Sequence, residues 1–456
     1  MKIFRRILAT VGAAILSGVV FIGSGSIGAF NPQTPSIPYA VQAYRATAML
    51  SSNILLNYID VTWLGADPTG TVSSSAAFAA AELACTTGLG ATIYAPPGKY
   101  RAYLDVSHNN QAPCIWRADN AAWLPINTSQ TNSTLVYAND CDITYSGTGI
   151  KFIGWNFDGR VNGSGAGDIN YLLYLNCAKI ELQGTVIGVS KAAGIYGFFA
   201  QYFRDQDSTI TTGTGAIACP VGGPVSGCPW GAYFTGNGTG QSSNELSFLR
   251  TRFNTGYNGV GIFGTATATS FNRVEFQNWT VCGASVGADP GGAEASNVAF
   301  YSPYFELNTT HLCIGAAQNI SVYSPTFLGD VAITAALTSN LTVVNPYGIT
   351  TSATLNHPSG NTDTVSLNWI GGTFGPTLNV GHPGPTQINI VPGTYATAST
   401  GMTFGAGANL HSGTVTPNSN ITGNVGDTYV NQAGGTSTTF YVKETGNGTN
   451  TGWVAK

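Results

Sequence analysis

The chain has 456 residues, of which 43% are hydrophobic and 11% aromatic while only 8% are charged, which excludes a disordered chain of low hydrophobicity and high charge. A formal net charge of -4, with no basic cluster beyond Lys2, Arg5 and Arg6, gives nucleic acid no electrostatic footprint. Polar, uncharged partners such as glycans fit better.

Lys2, Arg5 and Arg6 precede an uncharged stretch from Ile7 to Phe30 that ends in small residues, so residues 1–29 read as an export signal cleaved near Ala29. An uncleaved membrane anchor is the alternative, and no later segment is apolar enough to span a bilayer. Residues 30–56 are Pro/Ser/Ala-rich and read as a linker, with a short helix as the alternative. A serine N-cap and an Ala-rich run predict a short helix over about 74–86, and Ala91–Ala95 followed by Pro96-Pro97-Gly98 predicts a strand and a turn.

From residue 57 to 395 the pattern is that of a solenoid. An apolar residue at x, another at x+2 and a third at x+7 recur as Leu246/Phe248/Phe253, Val274/Phe276/Val281, Val298/Phe300/Phe305 and Ile320/Val322/Phe327. Leu341/Val343 with Gly348, and Val365/Leu367 before Phe374, continue the beat, and Ile150/Phe152/Phe157 and Ile180/Leu182/Ile187 begin it. The x, x+2 pair is strand periodicity, and the jump to x+7 needs a corner. Steps of 28, 24, 22, 21 and 24 residues are too short for helical crossovers and suit turns of a parallel β-solenoid. Asn297, Asn319 and Asn340 precede x, where amides can bond from coil to coil, and Pro303, Pro325 and Pro346 mark a bend at x+5. A β-sandwich would not hold Asn and Pro in phase with the triplet.

Residues 196–243 read as a long Gly/Thr/Pro-rich excursion of the kind that builds binding faces. Among eight cysteines, Cys219 and Cys228 in that loop are the expected disulfide, while Cys141, Cys177, Cys282 and Cys313 read as small buried residues. No Cys-x-x-Cys spacing occurs and the five histidines are scattered, so neither a metal nor a cofactor is expected. Residues 396–410 are a linker, and the turn signals of 411–456 predict a small β module.

Gly65-Ala66-Asp67-Pro68-Thr69-Gly70 and Pro96-Pro97-Gly98-Lys99-Tyr100 resemble the N-terminal segment of the pectate-lyase-like superfamily, which includes rhamnogalacturonase-type, epimerase-like and phage tailspike proteins; Ser74 and Ser75 stand where that family often carries an acidic pair. The resemblance implies an all-β, right-handed, single-stranded parallel β-helix with an N-terminal capping helix, and the crossover rule gives the same hand. Gly423-Asn-Val-Gly-Asp427-Thr-Tyr429 and Thr439-Phe-Tyr-Val-Lys443, closing with Trp453, resemble a small terminal module of bacteriophage tail and fibre proteins. That likeness implies a virion component assembled as a homotrimer.

Inward triplets leave x+6 and x+8 facing outward: Asn156/Asp158, Val186/Gly188, Arg252/Asn254, Thr280/Cys282, Tyr304/Glu306, Thr326/Leu328 and Tyr347/Ile349. Acid, guanidinium, amide and aromatic groups stacked about 5 Å apart suit an extended polysaccharide, with Arg252, Asn254, Tyr304 and Tyr347 as substrate-binding residues. Glu306 and Asp330 are the expected catalytic carboxylates for glycoside hydrolysis, and Asp158 with Asp168 is a second candidate pair. The bland reading makes them coil-edge acids and turn-forming aspartates. A lyase would take Arg252 as its cation and His311 or Lys191 as base. Asn361-Thr362-Asp363 stands without the other elements of a polygalacturonase. Lys151 with Glu181, and Glu245 with Arg273, are expected as exposed ladder pairs.

The expected function is recognition, with or without depolymerisation, of a cell-surface or extracellular polysaccharide by a secreted or virion-associated, tailspike-like protein. The alternatives are a secreted lyase or hydrolase unconnected with a virion, and a non-catalytic adhesive β-helix protein.

Overall fold

Corner residues in the left-handed region recur at fixed places in the windings, and the one at x+4 separates the first two strands of each coil. The computed structural model describes residues 58–456 outside 88–90, 107–113, 128–132, 140–148, 162–166, 220–223, 225–226, 237–241, 289–292, 329–332, 336–339, 350–352, 357–364, 371–376, 382–385, 392–400 and 405–407. The export signal and the first linker therefore lie outside the described residues, as do Asp330, Cys141, Phe374 and Asn361-Thr362-Asp363. Each coil runs a strand carrying x and x+2, turns at x+4, and runs a second strand carrying x+7. The turn residues are Gly154, Gly184, Asp207, Arg250, Arg273, Ser302, Ser324 and Asn345, all with φ between 47° and 70°. Both strands join one 21-stranded, parallel-laddered sheet, and a third strand of the winding joins a separate nine-stranded sheet. At the bend the prolines, which have no N–H, still accept: Thr326 donates to the Pro303 carbonyl and Tyr347 to that of Pro325, both at 2.8 Å.

Inward side chains stack like on like. Phe253, Phe276, Phe305 and Phe327 form one column with ring centroids 5.2, 4.9 and 5.2 Å apart, and Phe248, Phe271 and Phe300 form another at 4.8 and 4.6 Å. The inter-strand repeat of roughly 4.8 Å sets this spacing, so near-parallel rings pack without voids. Gly348 ends the first column: its φ of +157° brings the backbone so close that a Cβ would sit 2.1 Å from the Phe327 carbonyl oxygen.

Three windings differ from the sequence reading. The copy expected at Val274/Phe276/Val281 is Thr269/Phe271/Phe276, because Thr269 pairs with Leu246 and Phe276 with Phe253. A buried threonine in the first slot displaced the apolar template by five residues, and Val281, half-buried, lies outside the column. The region 196–243 contains a complete winding, with strands Tyr202–Gln206, Thr209–Thr211 and Trp230–Thr235, whose inward triplet is Phe203/Asp205/Ile210. A carboxylate in the x+2 slot hid it. Last, Leu367 rather than Val365 pairs with Leu341.

The helix spans Ser75–Thr87 and closes the N-terminal end of the core, with Phe78 packed on Trp116 at 5.1 Å and Trp123 at 4.6 Å. Ser74 occupies the cap position, but its hydroxyl accepts the Asp67 N–H at 2.9 Å instead of a helix amide. Asp67 organises the preceding turn: hydrogen bonds from the Thr69 hydroxyl, the Val72 and Thr69 amides and the Thr71 hydroxyl hold its carboxyl well below the usual carboxylate range. The Gly65–Gly70 segment is thus structural.

The expected Cys219–Cys228 disulfide is present, as are Cys85–Cys114 and Cys282–Cys313, and Cys177 is also disulfide-bonded. Cys177, Cys282 and Cys313 are therefore oxidised, contrary to the reading of them as merely small buried residues. Cys282 and Cys313 lie on neighbouring strands with Cα atoms 6.2 Å apart, within bridging reach. The Asn319 amide bonds Asn297 at 3.1 Å, while the side chain of Asn340 lies outside the described residues. Lys151 and Glu181 pair at 3.7 Å as expected. Arg273 sits at a corner, out of register with Glu245, which directly precedes the Leu246↔Thr269 pair.

Near the C-terminus, Thr428–Asn431, Phe440–Lys443 and Trp453–Ala455 form an antiparallel meander around Tyr429, Tyr441 and Trp453. The buried Lys443 ammonium donates to the Thr449 carbonyl and hydroxyl at 2.8 and 2.9 Å and to the Thr451 carbonyl. Strands Gly401–Phe404 and Ala408–Gly413 pair antiparallel where the sequence reading places the linker 396–410. No helix among the described residues is long and apolar enough to cross a membrane.

Candidate functional site

Once the winding at Thr269 is in register, the outward strip on the second strands changes composition. Val186 pairs with Thr209, Thr209 with Arg252, Arg252 with Glu275, Glu275 with Tyr304, Tyr304 with Thr326 and Thr326 with Tyr347. Beside this x+6 column, Gln277 pairs with Glu306 and Glu306 with Leu328. Glu275 and Gln277 thus occupy the places expected for Thr280 and Cys282. Sequence reasoning missed both, although a signal existed: Phe271 and Phe276 keep the five-residue spacing of Phe248/Phe253 and Phe300/Phe305. Alignment on that aromatic pair rather than on the first apolar residue recovers the register.

These residues form a polar cluster. Arg252 Nε lies 2.6 Å from Glu275 Oε2, both side chains substantially exposed, and this pairing raises the Arg252 pKa above its ordinary value. The Tyr304 hydroxyl and the Gln277 amide each donate to Glu306 Oε2 at 3.1 Å. Burial, then the hydrogen bond to Glu306, raises the Tyr304 phenol, so it stays a neutral donor. Farther along, Tyr347 is 67% exposed. Asn254 sits at a register shift opposite Ile210 and Thr211, where the strand carries an extra residue.

Other candidates stand apart. Asp158 lies five coils from Glu306, about 24 Å at the inter-strand spacing, and Arg160 clamps its carboxylate at 2.8 and 2.6 Å. Asp168 accepts the Val161 N–H at 2.6 Å, a turn-forming role. His311 is 1% exposed between Phe305 and Phe327, and burial lowers its pKa to about 4, so it is a core residue and not a base facing solvent. Among the described residues no three His, Cys, Asp or Glu gather as a metal site.

No protein-family model matches the chain. No curated protein sequence matches it either. Solved structures do. PfbA, a surface adhesin of Streptococcus pneumoniae, is 13% identical with a TM-score of 0.52, covering 88% of this chain and 98% of its own. The pre-mature gene product 12 of bacteriophage phi29 is 13% identical with a TM-score of 0.55, covering 80% of this chain and 53% of its own. At such identity the likeness concerns the backbone, and with the register described above it gives the conclusion that this chain has a right-handed parallel β-helix fold.

Proposed function

We propose that the protein recognises a cell-surface or extracellular polysaccharide along the strip from Arg252 to Tyr347. The observation that carries this reading is the cross-coil cluster of Arg252, Glu275, Gln277, Tyr304 and Glu306, hydrogen-bonded across three consecutive coils and open to solvent. Fixed carboxylate, amide and phenol groups at a repeat of about 4.8 Å can meet successive sugar hydroxyls along an extended chain. The exposed Tyr347 ring supplies apolar surface for a sugar face. One fold neighbour is named a surface adhesin and the other a phage gene product, in keeping with action at a cell surface. The test is binding to a panel of capsular and extracellular polysaccharides. Glu306→Ala and Tyr347→Ala should each weaken binding at least tenfold without changing thermal stability, and unaltered binding in both removes the strip as the site.

A second reading, hydrolysis, rests on Glu275 and Glu306. They lie on adjacent coils two residues out of register, a diagonal spacing of about 8 Å between backbones that puts both carboxylates on one outward face; inversion asks for roughly 6.5–9.5 Å between the carboxyl groups themselves. Asp330, the partner expected for Glu306 from sequence, remains part of this reading. New reducing ends that vanish in Glu275→Gln and Glu306→Gln support it. Binding without new reducing ends leaves an adhesin.

A further inference from the structure

We infer that the strip selects a neutral polysaccharide and discriminates against uronate polymers, with Glu275 as the residue that sets this preference; the inference rests on the glycan reading of the strip. The guanidinium on the second-strand column already has its own carboxylate. Arg252 is bound by Glu275 at 2.6 Å, while Arg273 sits at the preceding corner. Glu306 differs, because its partners are a phenol and a carboxamide, both neutral. The central cluster of Arg252, Glu275 and Glu306 therefore carries one negative charge in excess. A polyuronate laid here would bring a carboxylate to nearly every residue, and one that reached Glu306 would meet an anion whose hydrogen-bond partners are all neutral. Neutral sugars present hydroxyl donors, which an acceptor-only carboxylate such as Glu306 binds well.

The same geometry makes the preference reversible. Glu275→Gln keeps the side-chain shape and removes the charge that neutralises Arg252, leaving the guanidinium to take a substrate carboxylate in its place. The folded full-length protein and its Glu275→Gln and Glu306→Gln variants are titrated with neutral glucans, mannans and galactans, and with polygalacturonate, at low and moderate salt. Circular dichroism and melting temperature are measured for each protein. Wild type should bind a neutral polymer at least tenfold more tightly than polygalacturonate. Glu275→Gln should gain at least tenfold on polygalacturonate in a salt-sensitive manner, and Glu306→Gln should lose at least tenfold on the neutral polymer. Preference of wild type for polygalacturonate overturns the inference, as does a folded Glu275→Gln variant with unchanged uronate affinity. Binding to no glycan at all instead overturns the recognition reading from which the inference starts.

Discussion

The coils from Leu246 to Ile349 and the coil at Tyr202–Thr211 share one backbone path but fill it differently. In the first three of the former both the x+2 and the x+7 slots hold stacked phenylalanines, whereas the latter puts Asp205 between Leu182 and Phe248. Asp205 is 1% exposed and is held by the Thr251 hydroxyl, next to a hydroxyl ladder in which Thr185 and Ser208 lie 2.9 Å apart. Its other oxygen, Oδ1, has no hydrogen-bond partner. The difference teaches that hydrogen-bonded register, once set by neighbouring coils, carries a charged residue through the core at a cost the stack absorbs. The apolar pattern reports the fold but does not dictate every slot of it.

The largest expected effect lies in the aromatic coils. Phe276 is fully buried between Phe253 and Phe305, so Phe276→Ala should destabilise by about 3–5 kcal/mol, measured by urea unfolding. Val281→Ala, at a half-buried position outside the column, should cost under about 1 kcal/mol. Equal losses at the two positions would restore the sequence-based register and remove Glu275 from the strip.

Asp205 sharpens the comparison through pH. Desolvation by burial, opposed by the nearby Ser208 and Thr251 hydroxyls, raises its pKa from 3.8 to about 6. The folded state binds this proton more tightly than the unfolded state. Its contribution is therefore complete below about pH 4 and is lost as pH rises through 6. The loss amounts to about 3 kcal/mol for a shift of this size. Asp67 and Asp207, whose pKa values are lowered by hydrogen bonds, act with the opposite sign, losing their contribution as pH falls. Both remain in Asp205→Asn, so they cancel in the difference. Stability of wild type minus Asp205→Asn should fall from pH 4 to 7, and a flat difference would mean that the carboxyl titrates normally.

Much of this architecture was legible because strand pairing in a solenoid repeats. The triplets at Ile150, Ile180, Leu246, Val298 and Ile320 sit in register, and so do the prolines and the capping helix. Legibility failed where one slot held a polar residue. Thr269 moved the reading by five residues, and Asp205 concealed a winding. The candidate site suffered more than the fold, since a register error substitutes every outward residue of a coil, and Glu275 and Gln277 vanished with it. Cysteine pairing failed for another reason: Cys282 and Cys313 meet only after the winding has placed their strands side by side.

The outer ladder gives the smallest expected effect and tests whether charge stacked outside the coils carries the weight that charge inside does. Lys151 and Glu181 lie opposite each other on adjacent strands, 3.7 Å apart, with side chains about one-third exposed. Water and salt screen such a pair, and ordering two long side chains offsets part of the attraction, so a double-mutant cycle with Lys151→Met and Glu181→Gln should return a coupling of about 0–1 kcal/mol. Raising the salt concentration should shrink that coupling further, whereas the pH dependence assigned to the fully buried Asp205 should persist. A salt-insensitive coupling of several kcal/mol at the outer pair would mean that the coil exterior is as shielded as its core. The separation of an interior that sets register from an exterior free to carry recognition would then fail.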